Sequence, residues 1–160
     1  MKKIDIQTIA VNGIIAAAYA ALTLLLAPIS YGSIQMRISE LMIFLAFYNK
    51  KYIPGLVLGC FLSNLASPLG VYDIVFGTCA TLLAVIAMWK VQNRYLGAIL
   101  GGVFNGLIVG AELTLVFKEL PFYLNAFYVF VGEVVILMIG AIVFGLVEKN
   151  SAVMKVLHAK

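Results

Sequence analysis

Glu40, Asp73, Glu112, Glu119 and Glu133 stand out in a chain of 160 residues of which only 11% are charged. An ionised carboxylate accepts hydrogen bonds and holds cations, and it donates nothing. Glu133 lies deep in an apolar run, VFVGEVVILMIG. A central Asp, Lys or Arg costs roughly 2.5–3.5 kcal/mol on membrane-insertion scales, and a Glu should cost a similar amount. Such a residue faces a cavity or a partner rather than lipid, or else it is a protonated or paired group that serves structure. Glu112, in IVGAELTLVF, lies about a turn and a half from the end of its own run. Asp73 opens another run as GVYDIVFG; it could equally be a helix cap, since acids favour helix N-termini. Glu119 follows Lys118 in a short polar stretch and reads as solvated, while Asp5 and Glu148 lie at the ends of runs.

Cations are few beside these acids. Arg37 and Glu40 fall three apart in SIQMRISELMIFLAF, a spacing that puts both on one helix face and lets Arg37 neutralise one carboxylate. A surplus of acceptors remains. It suits a ligand with several N–H donors, a positive charge, or both, and it suits an anion poorly. The amides Gln35 and Asn64 and the rings Tyr31, Tyr72, Phe122, Tyr123, Phe127 and Tyr128 fall near the same end of their runs. A flat ligand could stack there, or a cation sit over a ring, although the interfacial belts of membrane proteins are themselves rich in Tyr. No GxxxxGK[ST], HExxH, GxSxG or Cys/His cluster occurs. No catalytic residue, metal ligand or cofactor is therefore named, and an enzyme is not expected. Cys60 and Cys79 sit inside apolar runs as small hydrophobes, and His158 lies in a polar tail.

The elements that must position these groups are membrane helices. The chain is 64% hydrophobic with a mean hydropathy of +1.09, more apolar surface than a soluble domain of this size can hide. The runs are continuous and lack the period-two alternation of barrel strands. Six can be drawn: about Ile9–Pro28, Ile34–Tyr48, Tyr52–Ala66, Tyr72–Trp89, Tyr95–Phe117 and Phe122–Val147. The second and third hold 15 residues each, fewer than the ~20 a spanning helix needs. Met1-Lys2-Lys3 before an apolar run resembles a secretory signal, but Ile9 to Leu26 is long enough to span and reads as an uncleaved first helix.

With both termini cytoplasmic, the inner side carries nine cations (Lys2, Lys3, Lys50, Lys51, Lys90, Arg94, Lys149, Lys155, Lys160) and the outer side two, Arg37 and Lys118. That is the bias of the positive-inside rule. The net charge of +4 follows from it and points to lipid headgroups, not nucleic acid. The expected fold is all-α and integral to the membrane: one domain over residues 1–160, a compact bundle of six transmembrane helices.

Small residues line several runs. Gly55 and Gly59, and Gly97, Gly101, Gly102, Gly106 and Gly110, have the spacing that lets helices approach closely. Internal packing accounts for these. Ala16, Ala17, Ala18, Ala20 and Ala21 form a broader patch, which fits either internal packing or a partner subunit.

The stretches SIQMRISELMIFLAFY, PGLVLGCFLSNLASPLGVYDIVFGTCATLLA and the VGE of the sixth run resemble the substrate-binding S-components of energy-coupling factor (ECF) transporters. Most closely they resemble the QueT family, the queuosine-precursor S-components. The likeness extends over most of the chain and is most specific around Gly59-Cys60, Asn64, Asp73 and Gly77. It implies a subunit of the cell membrane that hydrolyses nothing itself and takes up a 7-deazaguanine such as 7-aminomethyl-7-deazaguanine. Substrate would meet Glu133, Asp73, Glu40, Glu112, Asn64, Gln35, Arg37 and Tyr72, with Arg37 leaning toward pinning its loop. Ala16, Ala17, Ala20 and Ala21 would dock a shared membrane subunit (the T-component) driven by two ATPases. Two alternatives stay open: an S-component for another vitamin or nucleobase, and a structural subunit whose carboxylates join helices.

Overall fold

A computed structural model describes residues 6–32 and 35–158 and contains no strand among them. In chain order the elements are α1 (Ile6–Leu25), the single turn α2 (Ala27–Ser30), a 3-10 segment (Ile38–Ile43) that runs into α3 (Phe44–Tyr48), a 3-10 turn (Lys50–Tyr52), α4 (Ile53–Asn64), α5 (Val71–Val91), α6 (Arg94–Phe117), α7 (Phe122–Val147) and α8 (Ser151–Leu157). Lys2, Lys3, Asp5, Lys160 and Ile34 lie outside the described residues.

Four helices, α1, α5, α6 and α7, are long and apolar enough to cross a membrane. The second and third apolar runs are shorter than expected. The second folds as six 3-10 residues followed by five α-helical ones, and α4 has 12 residues. Twelve residues rise about 18 Å against a hydrocarbon core of ~30 Å. These two elements share the turn at Lys50-Lys51, and their other ends, Arg37 and Asn64, stop among buried polar groups. The bundle is thus filled by apolar side chains in one half and has room for polar ones in the other.

Local chemistry sets the element ends. Pro28 and Pro54 sit in the first turns of α2 and α4, where a missing N–H does no harm. Asn93 caps α6, its Oδ1 accepting from the N–H of Tyr95 and of Leu96 at 3.1 Å each. Gly70 holds the N-cap of α5 at φ 57°, a left-handed conformation that glycine adopts without strain.

The glycine stripe of α6 serves packing. A Cβ at Gly102, Gly106 or Gly110 would lie 2.4 Å from Val134, 2.8 Å from Phe130 or 2.5 Å from the Cα of Ala126, respectively, all on α7. Gly55 and Gly59 of α4 likewise admit Asn12, Ala16 and Tyr19 of α1. Gly110→Ala should therefore destabilise the protein by about 1–3 kcal/mol, since backbone cannot move aside as a side chain can. Gly13 on α1 has nothing within 4 Å of such a Cβ, and Gly13→Ala should leave stability unchanged or raise it by up to about 1 kcal/mol. Thermal melting in detergent reads both; equal effects would contradict the packing described here.

One end of the bundle gathers the basic residues. Lys50 lies over the Trp89 ring at 5.4 Å, Arg94 pairs with Glu148 at 2.6 Å, and Asn12 Nδ2 donates to the Lys51 carbonyl at 2.9 Å. Tyr48 OH donates to Glu148 at 3.0 Å. Lys118 and Glu119 lie at the other end, in the α6–α7 turn.

Candidate functional site

The second apolar run enters the bundle through Gln35 and Arg37. Gln35 is buried with φ at 49°, a left-handed conformation that costs a residue with a Cβ about 1–2 kcal/mol. Arg37 is the extended residue just before the 3-10 segment. It is therefore not on a helix face with Glu40, and the expected i+3 pair does not form. Its guanidinium reaches α5 instead, where Nη2 pairs with Asp73 Oδ1 at 3.0 Å, both groups buried. Asp73 in turn is not a cap: Gly70 has that place, and the Asp73 carboxylate accepts from Arg37 and from the Ser67 hydroxyl. Beneath the guanidinium lies the Tyr31 ring, 5.5 Å from Cζ, held by its own hydroxyl donating to the Ser63 carbonyl at 2.6 Å.

Glu40 is fully buried one turn into the same segment. Its Oε1 accepts from Tyr19 OH of α1 and from Thr81 Oγ1 of α5 at 2.7 Å; its Oε2 has no partner. Asn64, the last residue of α4, donates to the Asp73 carbonyl at 2.8 Å, which leaves its Oδ1 free. Glu112 of α6 stands against the Asp73 carboxyl and within the field of Arg37, and apart from Asp73 no group of the protein partners its oxygens. Glu133 of α7 lies within the field of Glu40 and Arg37, and its Oε2 is unpartnered. Six elements, α1, the 3-10 segment, α4, α5, α6 and α7, thus converge on one polar centre, in which Asp73 pairs with the Arg37 guanidinium and three further carboxyl groups lie within its field.

Among the described residues eight buried side-chain polar atoms lack a partner, and seven of them belong to Gln35, Arg37, Glu40, Asn64, Glu112 and Glu133. An orphaned buried group costs about 1–3 kcal/mol, more if charged. Native proteins carry few of these, so their concentration in one place marks a site whose complement comes from elsewhere. Nearby, a cavity of about 260 Å³ opens at the end away from the lysine pair, lined in part by Tyr31, Leu113, Phe117, Glu119 and Asn125. Tyr31, which also lies against Arg37, is shared between this cavity and the polar centre; the four buried carboxyl groups are not part of its lining.

Other expected residues lie elsewhere. Tyr72 is 51% exposed although its neighbour Asp73 is buried, because successive helix residues point about 100° apart; it faces away from the polar centre. Phe122, Tyr123, Phe127 and Tyr128 also face outward, as an interfacial belt would, and only Tyr31 turns in. The alanine patch of α1 divides: Ala16 is buried against α4, Ala20 is half-buried, and Ala17 and Ala21 are exposed. Tyr19, Cys60, Ser67 and Thr81 complete the polar centre without having been expected there. The signal for Tyr19 and Thr81 is hydroxyls placed mid-run, far from any interfacial belt.

Comparison with known proteins agrees in extent with this geometry. The family model described as QueT transporter matches residues 9–149, a span that contains all four converging carboxylates. The Queuosine precursor transporter QueT of Lactococcus lactis subsp. cremoris (strain MG1363) is 37% identical over 165 aligned residues, covering 93% of this chain and 95% of that protein. No solved structure matches the chain. With the match running from the first helix through the last long one, and no part of the polar centre outside it, the chain belongs to the QueT transporter family.

Proposed function

We propose that the chain is the substrate-binding S-component of an ECF-type uptake transporter and that its polar centre receives a queuosine precursor such as 7-aminomethyl-7-deazaguanine. The observation that carries this reading is the set of carboxyl oxygens without a donor from the protein on Glu40, Glu133 and Glu112, the last held only against Asp73. A guanine-like edge offers N1–H and an exocyclic NH₂ side by side, which one carboxylate accepts as a pair. The aminomethyl group is a cation near neutral pH and needs a second carboxylate. Glu133, near the middle of α7, suits the first role; Glu112, nearer the end of α6 that carries Lys118, suits the second. Asn64 and Gln35 flank the ring polar atoms, and Arg37 keeps the loop and Asp73 in place.

In this reading the lysine-rich end is cytoplasmic, with both termini there and six passes of the cell membrane, the two short elements counted with the four long helices. The cavity opens outward, and the exposed alanines of α1 meet the T-component, which two ATPases drive. Lipid is the remaining partner; nucleic acid is none. Glu133→Gln should weaken binding of 7-aminomethyl-7-deazaguanine about tenfold or more, as the loss of a charged hydrogen bond requires, while the protein inserts and folds normally. Isothermal titration of the detergent-purified chain reads this, and unchanged affinity would remove Glu133 from the site.

A further inference from the structure

Tyr19 is fully buried in α1, in the middle of a helix whose other face is smooth and apolar. Its hydroxyl and that of Thr81 converge on the same oxygen, Glu40 Oε1. The direction of the Thr81 bond is set from behind. Cys60 Sγ has two acceptors for its one proton, Thr81 Oγ1 at 3.3 Å and, farther off, the Gly77 carbonyl at 3.7 Å; the nearer one leaves the threonine proton to point at Glu40. Cys60 is itself approached by Arg37 Nη1 at 3.8 Å. One helical turn further along α1, Thr23 Oγ1 meets Ser39 Oγ at 2.6 Å, a second tie between α1 and the segment that carries Glu40. Both ties act on the backbone and on Oε1; neither touches Oε2, which stays buried and unpartnered.

We infer that Tyr19, together with Thr81, is a positioning residue for ligand recognition: the two hydroxyls hold one oxygen of Glu40 so that the other is presented, in a single orientation, to the guest. The inference rests on the proposed reading of the polar centre and adds to it a fixed acceptor supplied from α1. A carboxyl group with one oxygen tied by two O–H donors cannot rotate to satisfy itself. Without the tyrosine hydroxyl, Glu40 has a vacated position to turn into, and the ligand must reorganise it on binding.

Tyr19→Phe keeps the ring that packs against Gly59 and removes only the hydroxyl. It should weaken binding of 7-aminomethyl-7-deazaguanine about tenfold, the scale of one hydrogen bond to a charged group. The double variant Tyr19→Phe/Glu40→Gln should bind no more weakly than Glu40→Gln alone, because Tyr19 acts through Glu40. Thr81→Val, also close to isosteric, should behave in the same way and carries the same cycle if Tyr19→Phe fails to fold. A Tyr19→Phe protein within twofold of wild type, or a Tyr19→Phe penalty repeated in full in the Glu40→Gln background, would overturn the role of Tyr19 alone. A wild-type protein with no affinity for the probe would instead overturn the reading of the site.

Discussion

Replacing Arg37 with Met should destabilise the protein by ~3–5 kcal/mol, the cost of stripping a buried ion pair of one partner. Arg37 is 3% exposed and Asp73 fully buried, so water cannot take over the role of the guanidinium. The loss extends beyond the pair. Glu40, Glu112 and Glu133 also lie in the field of Arg37, and without it four acidic side chains share a low-dielectric interior with no positive charge among them. Arg37→Met/Asp73→Asn should recover much of the loss, because the remaining partner is then neutral. Chemical or thermal unfolding in detergent reads both variants. A single variant as stable as wild type would mean that the Arg37–Asp73 pair does not hold the loop.

Ala17→Trp should abolish uptake by cells and leave ligand affinity within about twofold of wild type, because binding effects at remote sites that share no partners are independent. Ala17 is exposed on α1, on the opposite side from Tyr19, so an indole there reaches no residue of the polar centre. It does remove the smooth surface on which a close-packed helix partner depends. Ala16→Trp should behave differently. Ala16 is 2% exposed, with Gly59 against it, and the larger side chain should lower the melting temperature directly. Transport by whole cells and binding by purified protein separate the two variants. Lost binding in Ala17→Trp would place that face inside the bundle or against the site.

The parts of this protein that could be read from sequence are those governed by short-range pattern. Runs of apolar residues gave helices, and lysine pairs at run ends gave a common basic end, because hydropathy and local charge act over a few residues. The α6 glycines could be read as packing positions for the same reason: the need for close approach is written at spacing four. What could not be read depends on which residues meet across long separations. Arg37 and Glu40 look paired at three residues apart, yet the 3-10 segment starts only at Ile38, and Arg37 finds Asp73 at a separation of 36 residues. Tyr72 and Asp73 are indistinguishable in sequence as pocket residues, and only the rotation of α5 decides that Asp73 turns in. The alanines of α1 form one patch in sequence but two faces in space, since Ala16 and Ala17 point about 100° apart. Tyr19 shows in the sequence only as a hydroxyl placed mid-run, and that it meets Glu40, 21 residues away, is decided by the packing of α1.

On the proposed function, the acids that lipid would reject act together to receive a guest rich in N–H donors. Isothermal titration of the purified full-length chain with 7-aminomethyl-7-deazaguanine, and in parallel with adenine, tests it most directly. Saturable one-to-one binding and a raised melting temperature with the deazaguanine, and neither with adenine, is the predicted result. A folded, monodisperse protein that responds to neither would contradict it and leave the four carboxylates as structural groups.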